Sequence, residues 1–206
     1  MKKLSNDHPV VIIGKRIVSH LLLGLLWVVA SLPVVTFGAA TTAMLFTAET
    51  CDHKGEGKLQ TVFWKSFRRE FKQATLLSLI AAVMAAGLVL DGYILSTMDI
   101  SDTLAAILMI YFVWAFCWLQ LWFGYLSKFN DTIRVLLANT FRIFFGSFFW
   151  VLLLGIIAGA AILGAYAAVN TCPLLLLLIP GVYVFLTSLV LRKLFQKYIP
   201  AKQENM

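Results

Sequence analysis

Charge is what this chain has least of. Asp, Glu, Lys and Arg make up only 13% of its 206 residues, about half of the roughly 25% usual in soluble domains. Hydrophobic residues fill the place of the missing charge: they are 61% of the chain, and the mean hydropathy is +0.88. A soluble fold of this size has no interior large enough to hide so much apolar surface, so a bilayer must be the solvent for much of it. Cysteine is scarce as well. Cys51, Cys117 and Cys172 lie in three separate regions and no pair forms C-x-x-C, which favours small apolar packing residues over a disulfide or metal role. The sequence has no G-x-x-x-x-G-K-[ST] and no G-x-S-x-G, the patterns that would cradle a nucleotide phosphate or raise a serine nucleophile.

What is present is a series of apolar runs. They are Ile17–Leu32, Gly38–Thr50, Ala74–Leu95, Thr103–Leu126, Phe144–Val169 and Leu174–Leu191, separated by charged or turn-forming residues. The first run follows Lys15-Arg16 and resembles a signal peptide, but no A-x-A-like cleavage site follows before further apolar sequence, so it reads as a retained helix. The fold class expected is an all-α integral membrane protein, one domain over 1–206, with about six membrane helices. The second run is the exception in length. At 1.5 Å per residue it rises roughly 20 Å, less than a ~30 Å hydrocarbon core. Residues 17–50 are therefore either two crossings or a re-entrant hairpin, broken at Pro33–Gly38.

The basic residues give an orientation. Lys2, Lys3, Lys15 and Arg16 precede the first run, and Lys54, Lys58, Lys65, Arg68, Arg69 and Lys72 lie between the second and third. Lys128, Arg134 and Arg142 lie between the fourth and fifth, and Arg192, Lys193, Lys197 and Lys202 follow the sixth. These are all 17 Lys and Arg residues of a chain with net charge +7. The connections Pro33–Phe37, Ser96–Asp102 and Asn170–Pro173 have none, and Asp99 and Asp102 stand in the middle one. Such alternation predicts a multi-pass cell-membrane protein with both termini cytoplasmic. It also accounts for the positive charge without nucleic acid as a partner.

Two basic connections carry their own pattern. Residues 58–72 include LQTVFWKSFRREFK, with Phe63, Phe67 and Phe71 four apart, Trp64 beside them, and Arg68, Arg69 and Lys72 at other positions. Residues 131–145 read DTIRVLLANTFRIFF, with Arg134 and Arg142 among apolar residues. Both predict amphipathic helices at headgroup level, suited to anionic lipids or to a cytoplasmic protein partner. Because each leads into an apolar run, the chain reads as a diverged repeat of amphipathic helix and membrane hairpin.

The segment SLPVVTFGAATTA, Ser31–Ala43, and FWKSFRREFKQATLL, Phe63–Leu77, resemble the YesL family, small bacterial integral membrane proteins without an assigned activity. The similarity runs from about Leu23 to Ile80; beyond that it lies in hydropathy and length. The genes of that family often stand beside ATP-driven carbohydrate-uptake transporters and polysaccharide-degrading enzymes. The resemblance implies an accessory or regulatory role in carbohydrate uptake, with ABC transporter subunits as partners. It supplies no catalytic residues.

Other candidates come from the residues themselves. Pro33 breaks the helix, Thr36 is placed to cap the next one, and Gly38 follows; in transporters such breaks present helix N-termini to ligands, whereas the plain reading is a tight outer turn. Asp91, near the outer end of the third run, is either an intramembrane carboxylate or an interfacial one. His20 reads as a hydrogen-bonded interfacial histidine. Glu49-Thr50-Cys51-Asp52-His53 groups metal-ligand types, but the spacing is poor for zinc and no second pair exists, so no metal and no other cofactor is expected. Gly155 and Gly159 form G-x-x-x-G, a helix-packing face. A non-enzymatic docking protein is the leading expectation. A small permease or channel for a sugar or other small solute is the alternative, disfavoured because the fourth run offers only Cys117 and Gln120 as polar groups. An enzyme acting on lipid-linked sugars comes third, with only Glu49–His53 to serve it.

Overall fold

Helix is the only way to satisfy backbone N–H and C=O groups inside one segment in hydrocarbon, and helix is what the chain forms. The computed structural model describes residues 9–51, 59–97, 101–129, 131–172, 175–176 and 178–198. Seven α-helices and no strand are found among the described residues: α1 Pro9–Ser31, α2 Phe37–Cys51, α3 Leu59–Thr97, α4 Asp102–Lys128, α5 Ile133–Gly146, α6 Phe148–Thr171 and α7 Ile179–Gln196. A 3-10 turn, Val34–Thr36, joins α1 to α2. Three stretches are long and apolar enough to cross a membrane, Leu59–Ile94, Thr103–Lys128 and Phe148–Thr171, and they make this a membrane protein. The apolar part of α1, Val18–Ser31, is shorter.

One of the shorter helices is the centre of the bundle. α2 has 15 residues, about 22 Å of rise, and it packs against α1, α3, α4 and α7. Ala39, Ala40, Ala43, Met44, Leu45 and Ala48 are buried there. Threonines are poor company for an apolar core unless their hydroxyls are satisfied. Here Thr41, Thr47 and Thr50 each donate to the carbonyl four residues back, at 2.7 to 2.9 Å, which spends the hydroxyl within the helix. Thr41 Oγ1 also accepts from Trp27 Nε1 at 3.0 Å, which fastens α1 to α2.

Gly38 sets how close α2 comes to its neighbours. A Cβ there would overlap Ser78 Oγ, and it would stand 2.6 Å from the Phe123 ring and 2.7 Å from the Ala74 carbonyl oxygen. The last is backbone and cannot swing aside. The turn end of α2 is thus pinned between α3 and α4. Beyond Ser78, α3 continues to Thr97, a further rise of about 28 Å.

Three boundaries differ from the run-by-run reading. Residues 58–72 and the third run are not two elements, because α3 passes without a break from Leu59 to Thr97. Gln73 and Ala74 stand at the junction, and both sustain a helix. The fifth run is divided at Ser147, whose φ of −144° and ψ of 40° end α5 and start α6. That corner is held from the far end of the chain: Ser147 Oγ is 2.8 Å from Tyr198 Oη, and Lys197 Nζ donates to the Gly146 carbonyl at 3.3 Å. In α7, Pro180-Gly181 sits in the first turn and not inside the helix, where the missing proline N–H costs nothing. Gly181 lets that turn lie on α1, since a Cβ would be 2.9 Å from the His20 carbonyl oxygen.

Glycines of two kinds follow, pinned and open. Gly87 in α3 has nothing within 4 Å of a built Cβ. Gly38→Ala should lower the melting temperature of detergent-purified protein, the overpacking costing about 1–3 kcal/mol. Gly87→Ala should leave it unchanged or raise it, by up to about 1 kcal/mol of helix propensity. Equal melting temperatures for the two variants would contradict the close approach at Gly38.

Candidate functional site

α3 sorts its side chains by helical spacing. Leu59, Phe63, Ser66, Glu70, Ala74 and Leu77 form its buried stripe, stepping by three and four residues. The opposite side exposes Trp64, Lys65, Arg68, Phe71 and Lys72. The aromatic series expected as one face is therefore divided. Phe63 is wholly buried, Phe67 half-buried, and Trp64 and Phe71 point outward. The rings still touch in sequence: Phe63 with Trp64 at 5.5 Å, Trp64 with Phe67 at 5.4 Å, and Phe67 with Phe71 at 5.5 Å between centroids. The exposed aromatics are thereby braced against a residue that belongs to the core.

Arg69 does not stand with the other cations. Its guanidinium lies 4.7 Å from the centroid of Phe46 on α2 and pairs with Glu70, whose side chain is only 2% exposed. A cation over an aromatic face and beside a carboxylate serves the fold first. Lys65, Arg68 and Lys72 have no acidic partner among the described residues, and they make the exposed basic strip of α3. Glu70 was missed in the sequence reading, although its spacing from Phe63 and Ala74 puts it on the apolar stripe.

A second polar group closes the same end of the bundle. Lys128, the last residue of α4, is 2.9 Å from Glu49 Oε1 on α2, with side chains 13% and 21% exposed. The ammonium lies off the hydrogen-bonding direction of that oxygen, so this is a contact of charges in a partly dry place. Lys128 also lies 5.3 Å from the Phe195 ring of α7. Next to it, the Tyr125 hydroxyl donates to Asp131 Oδ2 at 2.6 Å and accepts from Asn139 Nδ2 at 2.8 Å. α2, α4, α5 and α7 are thus held at one end by charged and aromatic groups.

α5 carries the other basic pair. Leu136, Thr140, Ile143 and Phe144 are its buried side, while Arg134 and Arg142 are exposed. Trp118 Nε1 donates to Thr140 Oγ1 at 3.3 Å across α4 and α5.

The remaining candidates lie apart from these faces. Pro33 is exposed at the turn. The Thr36 hydroxyl, expected to cap α2, donates backward to the carbonyls of Ala30 at 2.6 Å and Pro33 at 2.7 Å, so it closes the end of α1. Ser78 and Phe123 fill the space at Gly38, which leaves no room there for a ligand. Asp91 is partly exposed near the end of α3, beside exposed Gly92 and Tyr93. The His20 ring meets Phe185 edge-on at 5.2 Å. Gly155 packs on Cys117 of α4, with a built Cβ overlapping Cys117 Sγ, whereas nothing lies within 4 Å of one at Gly159; the two glycines of the motif do not serve one contact. No group of three or more His, Cys, Asp or Glu able to share a metal exists among the described residues. Asp52, His53, Lys54, Asp99 and Pro173 lie outside the described residues, as do the side chains of Lys15, Arg16 and Cys51.

Residues 21–92 match a family described as "Protein of unknown function, DUF624". The match covers about a third of the chain, including α2, the Pro33 turn and most of α3. No curated protein and no solved structure matches the chain.

The charged contact at Lys128 gives a test of the bundle end. Lys128→Met leaves the Glu49 carboxylate without its partner and should cost about 1–3 kcal/mol, as an unpaired buried polar group does. The melting temperature should fall accordingly, and adding Glu49→Gln should restore part of the loss. If the double variant melts no higher than the single one, the two groups are not coupled.

Proposed function

We propose that this chain is a non-enzymatic accessory or regulatory membrane protein that docks through the basic strip of α3, and that its partner is a subunit of an ATP-driven carbohydrate-uptake transporter. The observation that carries the docking face is the division of α3. Its inner stripe is fixed in the core, and Lys65, Arg68 and Lys72, without acidic partners among the described residues, flank the exposed rings of Trp64 and Phe71. Arg and large aromatics are the residue types over-represented at binding hot spots, and a rigid helix presents them at little entropic cost. The transporter class rests on the resemblance to the YesL family alone.

In this reading the basic end of the bundle faces the cytoplasm, and anionic headgroups share the same strip. The α1–α2 hairpin is re-entrant: α2 is too short for a ~30 Å core, and its turn end rests beside Ala74 and Ser78, where the charge-free part of α3 begins. α3, α4 and α6, the three long apolar helices, are then crossings, and the sixth apolar run, Leu174–Leu191, returns the chain to the cytoplasmic side.

The permease reading asks for a polar path at mid-membrane. Gln120 on α4 is taken up, accepting from the Tyr183 hydroxyl at 2.9 Å, and Cys117 is packed on Gly155. That leaves the docking reading better supported.

Detergent extracts from cells making the tagged protein at native level should yield a transporter subunit on affinity capture. The variant Lys65→Gln, Arg68→Gln, Lys72→Gln should lose it while keeping its melting temperature, because these side chains lie outside the core. Capture of no transporter subunit by the unaltered protein, or equal capture by the triple variant, would overturn the proposal.

A further inference from the structure

Of the three candidate membrane spans, α3 alone carries an exposed basic strip on the same helix. α6 holds no Asp, Glu, Lys or Arg, and α4 has charge only at its two ends. The Lys128 end of α4 is taken up by Glu49. α3 runs without a break from Leu59 to Thr97, so the direction that its basic part faces fixes the direction that its apolar part faces. Stepping by three and four residues from Arg68 and Lys72, through half-buried Thr75, leads to Leu79, Ala82, Ala86 and Val89, all exposed. Leu79 and Val89 are 63% and 72% exposed. The buried stripe, with Glu70, Ala74 and Leu77, occupies the other side of the helix. The basic strip and this apolar surface are therefore one face, about 32 Å long from Arg68 to Val89.

The chemistry along that face is graded. At its cytoplasmic end Lys65, Arg68 and Lys72 complement carboxylates and repel a cationic segment. Within the span, Ala82 and Ala86 stand one turn apart between the larger Leu79 and Val89. Small residues at that spacing let a second helix approach closely.

We infer that the partner docked on α3 is itself a membrane-spanning chain, with one apolar helix packed along Ala82 and Ala86 and acidic residues where that helix emerges beside Arg68 and Lys72. The inference rests on the docking reading of the basic strip, and it excludes a wholly cytoplasmic subunit as the partner in contact with α3. A rigid helix that joins both chemistries on one face binds most strongly a partner that follows it from headgroup depth into hydrocarbon.

Photo-crosslinking in cells that make the protein at native level tests this. p-Benzoylphenylalanine is placed at Trp64 in the strip, at Ala86 in the span, or at Leu163, an exposed position of α6. The probes at Trp64 and Ala86 should join the same integral membrane polypeptide, and the probe at Leu163 should not. The double variant Ala82→Phe, Ala86→Phe should lose capture of that polypeptide and keep its melting temperature, because both positions are exposed. If the double variant fails to fold, the adducts decide. A protein adduct at Trp64 with lipid adducts alone at Ala86 overturns the inference and leaves the docking reading standing; no protein adduct at either position overturns both. Joining of Ala86 to a second copy of this chain, or equal joining from Leu163, also overturns the inference.

Discussion

Hydrocarbon tolerates almost no charge, and the rest of this structure follows from where the few charges are allowed to go. An ionised side chain at the centre of a bilayer costs about 2.5–3.5 kcal/mol even on lenient scales. The chain keeps all 17 of its basic residues in four groups at the ends of apolar runs. Where a charge does enter the protein interior, it is met by another group. Glu70 is buried beside Arg69, and Arg69 lies over Phe46; Glu49 faces Lys128, which lies near Phe195. Arg69 over Phe46 ties α3 to α2, and Glu49 against Lys128 ties α2 to α4, at the end of the bundle where the cations gather.

That arrangement lets a short helix sit at the centre. α2 could not be stable alone, since 15 residues are marginal for an isolated helix. It is surrounded by four longer helices that supply the burial. Its small side chains and Gly38 permit close contact, and Thr41, Thr47 and Thr50 return their hydroxyls to their own backbone. The contact with α3 also orders α3 itself. By fixing one stripe of that helix, α2 determines which side remains for Trp64, Lys65, Arg68, Phe71 and Lys72.

Much of this could be read from the residues, and the failures have physical causes. Helical class and membrane location follow from long apolar runs, a signal that length and composition carry without tertiary information. The docking strip was only half legible. A four-residue recurrence of Phe63, Phe67 and Phe71 marks one helix face, but which face turns inward depends on the helix that packs there, and α2 took Phe63 and Glu70. The extent of α3 is not legible from charge, because an α-helix passes from headgroup to hydrocarbon without a break when no Gly, Pro or cap intervenes. The opposite error occurred at Ser147, where a single apolar run hides a corner that Tyr198, 51 residues away, holds in place. Gly155 and Gly159 show the same limit: spacing identifies a possible contact surface, and only the neighbouring helix decides which glycine is used.

The sidedness proposed for the bundle is the claim on which docking strip and hairpin both rely, and labelling in intact cells tests it most directly. With the native cysteines replaced, single cysteines at Thr97, the exposed end of α3, and at Arg68, on its basic strip, are exposed to a membrane-impermeant thiol reagent. The account predicts that Thr97→Cys is labelled from outside and Arg68→Cys only after the cells are opened. Labelling of Arg68→Cys in intact cells, with Thr97→Cys protected until lysis, would contradict it.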